Sequence, residues 1–453
     1  MSSTEQLRQL GLFDARAPRY TSYPPANHFG EAVGAGDAAK WMAAVPSGSK
    51  VSLYLHVPYC RRLCWFCACR TQGTSTDRPL KTYLQYLKAE IALIDAHLPD
   101  DIELGQIHLG GGTPTLLPPE MLEDLGAAIS ALRPKSVDNS FSVEIDPTEI
   151  DAARIDALMK IGMNRASIGV QDFDPEVQKC IGRIQSYEQT RDVVEMIRAA
   201  GVTSLNMDVL YGLPHQTKAK ISDSIQRVLS LSPDRVAMYG YAHVPWMAKR
   251  QNLIPADALP NAEERLVLFD TARRLFTWDG YREIGIDHYA REGDSLALAD
   301  RSNTMRRNFQ GYTDDASDVL IGLGASAISR FPQGFAQNHS TSSRYAAAVT
   351  EGRLATVRGY KMSVEDKLRA KMIEDLMCRF ELDFTELSEA FGVTVTVASL
   401  HKRVAHVPAL FAGHVELTGN RLRITQSERL IARLVASEMD TFKMPQGRHS
   451  HAL

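Results

Sequence analysis

Between residues 51 and 290, strand-like and helix-like runs alternate about six times. No other feature constrains the fold as strongly. Consecutive parallel strands need a long crossover, usually a helix, so the alternation predicts βαβ units and a parallel sheet. Right-handed crossovers curl such a sheet toward a barrel or an open arc. The strand-like runs are 51–57, 106–109, 140–145, 165–170, 204–211 and 235–242. The helical runs are 80–98, 118–132, 151–161, 187–200, one that reaches Leu231, and 262–278. In the first of these, Tyr83, Leu84, Leu87, Ile91 and Ile94 share one face. Residues 291–360 read as loop-rich. Residues 361–453 change to helical periods with a short strand pair near 415–417 and 421–424, which predicts a small, mainly helical domain.

The chain has 453 residues, enough for two or three domains. Its net charge of −3 implies no general affinity for nucleic acid or an anionic membrane. No apolar run reaches the ~18 residues of a membrane span, and the opening residues show no secretory leader. Clustered rather than spread cysteines argue for a reducing cytoplasm over disulfide stapling. No extended heptad pattern is visible, so a monomer is expected. Residues 1–50 lack a clear period. Their segment Pro18-Arg19-Tyr20-Thr21-Ser22-Tyr23-Pro24-Pro25 is extended and proline-framed, and on physics alone reads as a surface linker.

Four of the six cysteines fall within ten residues: Cys60, Cys64, Cys67 and Cys69, spaced C-x3-C-x2-C-x-C. Clustered thiolates repel one another unless a cation sits among them. Structural zinc usually shows two C-x2-C pairs a dozen or more residues apart. There is no second pair here, since Cys180 and Cys378 stand alone and read as ordinary semi-buried residues. Three thiolates on an iron–sulfur cluster, with one iron left open, suit the spacing better, with zinc as the alternative.

In parallel α/β folds ligands sit at the carboxyl ends of the strands. The cysteine loop, Gly110-Gly111-Gly112-Thr113, Glu144, Gln171, Asp208, Ala242 and Asp287-His288 all fall at or near such ends. The glycine triplet exposes backbone that can approach a ligand's amino and carboxylate groups. Glu144 can accept bonds from a ribose or an ammonium group. Arg183 can hold a carboxylate through its fork. Asp208, on an apolar strand, needs a partner. Tyr54 alternates with Leu53 and Leu55 and by itself reads as core. His56, His108 and His288 read as satisfied structural histidines.

Together these motifs resemble the oxygen-independent coproporphyrinogen III oxidases of the radical S-adenosylmethionine superfamily. The resemblance runs nearly end to end. It rests on residues 18–24, the Cys60–Cys69 loop, Gly110–Thr115, Val143-Glu144-Ile145-Asp146-Pro147, Gly169–Phe173, Asp208 with Tyr211–Pro214, Asn308-Phe309-Gln310-Gly311-Tyr312-Thr313 and Gly322–Ile328. The resemblance implies an incomplete (βα)6 barrel with an N-terminal arm (1–35), a radical barrel (36–360) and a small, mainly helical C-terminal domain (361–453).

It also implies that Cys60, Cys64 and Cys67 ligate a [4Fe–4S] cluster, while Cys69 serves the reaction without ligating. Two S-adenosylmethionine molecules are implied. Tyr54, Gly111, Glu144 and Ile328 match positions around the first; Phe66, Gly112, Thr113, Gln171, Arg183, Asp208 and Ala242 match positions around the second. Gln310 matches a position facing the active site. The implied chemistry converts two propionates of coproporphyrinogen III to vinyls, giving protoporphyrinogen IX. An unactivated C–H bond yields to a 5′-deoxyadenosyl radical and not to a side-chain base. Electrons would come from a low-potential donor such as flavodoxin or ferredoxin. Arg19 is a candidate partner for a propionate on charge alone. The competing reading is a haem-binding chaperone of the same fold. Such relatives typically lack the fourth cysteine, the arm motif and the 308–313 motif, all present here.

Overall fold

The computed structural model describes residues 4–15 and 17–442. Six strands lie side by side in chain order, all parallel: β1 (Lys50–Val57), β2 (Glu103–Gly111), β3 (Lys135–Ile145), β4 (Arg165–Gln171), β5 (Ser204–Tyr211) and β6 (Arg235–Gly240). The main crossover helices are Arg78–Asp95, Pro119–Leu132, Ala152–Lys160, Tyr187–Ala199 and Lys218–Ser230; Ala262–Trp278 follows β6. Their starts are written locally. The side chains of Asp151, Ser186 and Thr217 accept from the backbone N–H three residues on, and Asn261 forms a capping box with Glu264.

Strand alternation decides what the barrel encloses. On β4, Ala166, Ile168 and Val170 are buried under helices, whereas Ser167, Gly169 and Gln171 are half-buried on the opposite face. On β5, Leu205, Met207 and Val209 alternate in the same way with Asn206 and Asp208. One face therefore packs the main core and the other lines the interior of the sheet's curl.

The sheet is larger than the six-unit alternation predicts. Twelve strands share it. Beyond β6 lie β7 (Arg282–Ile284) and β8 (His288–Ala290), with β8 antiparallel to both of its neighbours. On the other side, β9 (Val319–Leu323) pairs parallel with β1 and is followed by antiparallel β10 (Ile328–Phe331), β11 (Gly334–Asn338) and β12 (Thr356–Lys361). Residues 291–360 are thus not loop-rich. Every residue of β9 and β11 is buried, so neither shows the alternation that marks a half-exposed strand. The two outermost strands, β12 and β7, are not paired with each other, so the sheet is an open arc.

A second apolar core joins both ends of the chain. It contains helix Val364–Cys378, helix Phe384–Phe391, helix Val397–Val404, helix Ala432–Ser437 and a three-stranded antiparallel sheet. Leu7, Leu12, Phe13, Tyr20 and Tyr23 of the arm are buried in it, which overturns the surface-linker reading. Apolar side chains at irregular spacing have no periodic signature, yet they fill this core. Tyr20 donates to Asp440, and the Arg433 guanidinium donates to the carbonyls of Ala17 and Pro18. Arg19 remains exposed, and its guanidinium donates to the Gly240 carbonyl at the end of β6 (2.7 Å). No helix among the described residues is long and apolar enough to cross a membrane.

Candidate active site

The cysteine loop leaves the end of β1 and is pinned on all sides. Gln72 N–H donates to Pro58 O, and Thr74 N–H donates to Cys60 O. Trp65 N–H donates to Ile181 O (2.9 Å), and the Trp65 and Phe66 rings pack on a small cluster containing Ile181, Tyr241 and Ile254. The segment after β6 reaches across the mouth. The Gln251 amide donates to the carbonyls of Phe66 (2.7 Å) and Ala242 (3.1 Å), and Arg250 donates to Cys69 O (3.2 Å) and Thr71 Oγ1 (2.9 Å).

All six cysteines are free thiols. Cys69 N–H donates to Cys67 Sγ (3.4 Å), and Arg183 Nη1 donates to Cys64 Sγ (3.5 Å). Contact with Cys69 pulls the Cys67 thiol below the usual range, whereas burial pushes Cys60 up to about 11 despite the Thr113 hydroxyl. Three soft thiols on one loop, two of them already receiving N–H donors, suit a thiolate-held iron–sulfur cluster. No three His, Cys, Asp or Glu side chains among the described residues converge closely enough to share a single ion.

Glu144, at the end of β3, is the polar hub of the mouth. It accepts from Gly111 N–H (2.9 Å) and lies 3.1 Å from His108 Nε2. Burial works against its charge, but these partners hold its carboxyl below the usual range, so it is an anion at neutral pH. It is deep in the protein, yet 39% of its side chain is open to the mouth. Tyr54 is not core. It faces the interior, stacks on His108 at 5.8 Å and donates to His56 Nδ1 (3.0 Å). His56 Nε2–H donates to the Arg70 carbonyl (3.0 Å), which fixes the neutral tautomer that burial also favours. The histidines are satisfied structurally, as read, but two of them orient site residues.

The glycine triplet is required by contact. A Cβ on Gly111 would lie 2.5 Å from His56 Nδ1, and its φ of +114° suits only glycine. A Cβ on Gly112 would strike the Tyr59 carbonyl. Gly111→Ala is therefore expected to displace His56 and Tyr54, costing about 1–3 kcal/mol in stability. It should also weaken S-adenosylmethionine binding measurably by calorimetry.

On the opposite wall, Arg183 is buried. It pairs with Asp146 (3.2 Å) and donates to Gly169 O (2.8 Å), Gln185 Oε1 (3.1 Å) and Cys64 Sγ. Gln171 takes a left-handed backbone, φ +69°, at the end of β4. Asp208 accepts from Asn206 Nδ2 (2.9 Å) and Ser167 Oγ (3.4 Å), and burial raises its carboxyl to about 6. Ile328 opens β10, against Gly322, which is in register with Tyr54. Gln310 sits in the turn between the short strands Arg306–Asn308 and Gly311–Thr313, with its carbonyl 3.4 Å from Tyr239 Oη.

The structure thus gathers Tyr54, Gly111 and Glu144 on one side of the mouth, and Cys64 with Arg183 on the other. Gln310 joins the group only through its backbone. Sequence reasoning missed Asp146, Gln251 and Tyr239. Asp146 was within reach, because it sits two residues after Glu144 in a proline-stopped strand end. A cavity of about 1040 Å³ lies at the opposite end of the strands, lined by Lys50, Arg165, Ser204 and Asp314 among others. Its buried ion pairs Arg165–Asp314 and Arg235–Asp294 satisfy each other, and strand polarity places ligands at the other end.

An open parallel arc with a three-thiol loop at the end of its first strand defines a radical S-adenosylmethionine protein. Residues 54–228 match the model of the Radical SAM superfamily. The chain is 54% identical over its full length, and the relative's, to the oxygen-independent coproporphyrinogen III oxidase of Paracoccus denitrificans. It is 34% identical to the Helicobacter pylori enzyme of that name, over 98% of each chain. The solved coproporphyrinogen III oxidase (HemN) from Escherichia coli, a radical SAM enzyme, superposes with a TM-score of 0.88 at 34% identity, covering 94% of this chain and 98% of that one. The chain belongs to the family of oxygen-independent coproporphyrinogen III oxidases.

Proposed function

We propose that this chain converts two propionate side chains of coproporphyrinogen III to vinyl groups, giving protoporphyrinogen IX, in haem biosynthesis. The observation that carries the reading is the end-to-end match to enzymes of that name, arm and C-terminal domain included. The family's cofactors are a [4Fe–4S] cluster and S-adenosylmethionine. When bound, they supply a carbon radical able to take a hydrogen from an unactivated C–H bond.

The roles assigned to this chain's residues follow. Cys60, Cys64 and Cys67 hold the cluster, and Cys69 N–H and Arg183 stabilise its thiolates. Gly111 backbone and Tyr54 shape the floor for the first S-adenosylmethionine, with Ile328 as its apolar wall. Glu144, kept anionic, accepts from ligand hydroxyl or ammonium groups. Phe66, Gly112, Thr113, Gln171, Arg183, Asp208 and Ala242 surround the second molecule. Cys69 and Gln310 face the tetrapyrrole, and Arg19 at the rim meets one of its carboxylates. The arm and C-terminal domain close over the mouth and exclude water. A cytoplasmic monomer is served by a low-potential carrier such as flavodoxin or ferredoxin.

The test is anaerobic reconstitution and incubation with coproporphyrinogen III, S-adenosylmethionine and dithionite. Stepwise loss of two CO2, with methionine and 5′-deoxyadenosine formed, is expected. Cleavage of S-adenosylmethionine with unchanged tetrapyrrole would overturn the substrate, and tight haem binding without turnover would move the chaperone reading first.

A further inference from the structure

The segments that hold the cluster loop carry exposed apolar side chains. Ile184, Trp246, Met247 and Leu253 are exposed there, with Met247 at 73% and Trp246 at 53%. Each belongs to a segment tied to the loop. Ile184 follows Arg183, which donates to Cys64 Sγ. Residues 246–253 flank Arg250 and Gln251, which donate to the Cys69 and Phe66 carbonyls.

The same segments carry cations. Arg62 and Arg70 are exposed on the loop itself. Lys179 is exposed two residues before Ile181, whose carbonyl holds Trp65, and Lys249 is exposed beside Arg250. None of the four forms an ion pair among the described residues, although most exposed arginines elsewhere, such as Arg227 with Asp223 and Arg301 with Glu292, do. The nearby Glu149 lies among Arg61, Arg62 and Arg154. The exposed Glu176 on Lys179's helix is already paired with Lys220, so on a chain of net charge −3 these cations flank the exposed apolar side chains without a neutralising ion pair of their own. Isolated surface leucines need no explanation, but an apolar patch rimmed by unpaired charge marks an interaction site.

We propose that this surface docks an acidic protein that carries a single low-potential electron. The inference rests on the function proposed above, which needs an electron delivered to the loop. The cation rim sets the partner's charge, and the Trp246–Met247 pair supplies the apolar anchor. Electrostatic steering of this kind acts mainly on association rate and is screened by salt.

The test uses the full-length reconstituted protein, an acidic [2Fe–2S] ferredoxin and the triple charge reversal Arg62→Glu/Lys179→Glu/Lys249→Glu. Calorimetry of ferredoxin binding, which needs no turnover, is expected to show at least about tenfold weaker affinity in the variant. Wild-type binding should weaken as salt rises, and the variant's should not. Dithionite-driven turnover should be unchanged, whereas ferredoxin-driven kcat/KM falls by about the same factor. Equal ferredoxin affinity in the two proteins, at low and high salt, would overturn the proposal. So would a wild-type dimer, seen by sedimentation, that the same reversals dissociate, because a second copy would then own the patch. Failure of dithionite-driven turnover in the wild type would count against the proposed function, while the binding titration still decides the docking surface.

Discussion

Cys64→Ser, reconstituted anaerobically, is expected to lose its iron and labile sulfide and to drop turnover at least about a thousandfold, the scale of removing an essential group. Cys60→Ser and Cys67→Ser should do the same. A serine oxygen is a harder, far less acidic donor than a thiol and does not replace thiolate in a soft-ligand site. Cys64 is the sharpest test of the three, because its sulfur is the one Arg183 approaches at 3.5 Å. Two further variants separate ligation from other roles. Cys180→Ser, on a half-buried cysteine outside the loop, should keep full iron and full activity. Cys69→Ser should keep iron and lose turnover, since Cys69 is exposed at the mouth and is assigned no iron. Iron and sulfide content, the cluster's visible absorbance and 5′-deoxyadenosine yield read these outcomes. Full iron retention in Cys64→Ser, or iron loss in Cys69→Ser alone, would sink the ligand assignment.

The barrel was legible because its information is periodic. β4 and β5 alternate buried and half-buried residues, and helices such as Tyr187–Ala199 open on capping residues, so both announce themselves locally. The cysteine loop was legible for a different reason, since four thiols in ten residues have few other uses. What stayed hidden depends on contacts distant in sequence. β9 and β11 are buried throughout and present no alternation. The arm's Leu12 and Tyr20 are buried only because a C-terminal domain hundreds of residues away supplies their core. Tyr54 looked like core because its neighbours Leu53 and Leu55 are. Only the curl of the sheet reveals that the intervening face lines a site with His108 and Glu144. Asp146 and Gln251 make their key contacts 37 and 185 positions away, to Arg183 and to Phe66, and such partners leave no mark on local sequence.

Arg183 carries the second large prediction because two explanations of it make opposite forecasts. Its side chain is 9% exposed and that of its partner Asp146 15%. Burial disfavours the guanidinium charge, but Asp146 and the Cys64 thiol hold it on. Arg183→Ala leaves the half-buried Asp146 carboxylate with only the Thr148 N–H and hydroxyl as partners and no cation, and it removes the side-chain donor to the Gly169 carbonyl. Breaking a buried pair from one side costs about 3–5 kcal/mol, and that loss should appear as a lower denaturation midpoint of the apoprotein, where cluster loss cannot confuse the reading. Arg183→Lys should lie between, because an ammonium keeps the charge but cannot serve Asp146, Gly169 and Gln185 at once. Adding Asp146→Ala to Arg183→Ala removes the unpaired charge, so the double variant should recover more than half of the lost stability. A single variant costing less than about 1 kcal/mol, or a double no better than the single, would refute the ion-pair account. S-adenosylmethionine binding then separates the roles. If Arg183 only braces the wall, affinity returns with stability in the double variant. If its fork also meets the second S-adenosylmethionine, as assigned above, affinity for that molecule stays low in a protein that is again stable. The second outcome is expected, because Nη1 points at the cluster loop and Nη2 at the β4 strand end, where ligands of this fold gather.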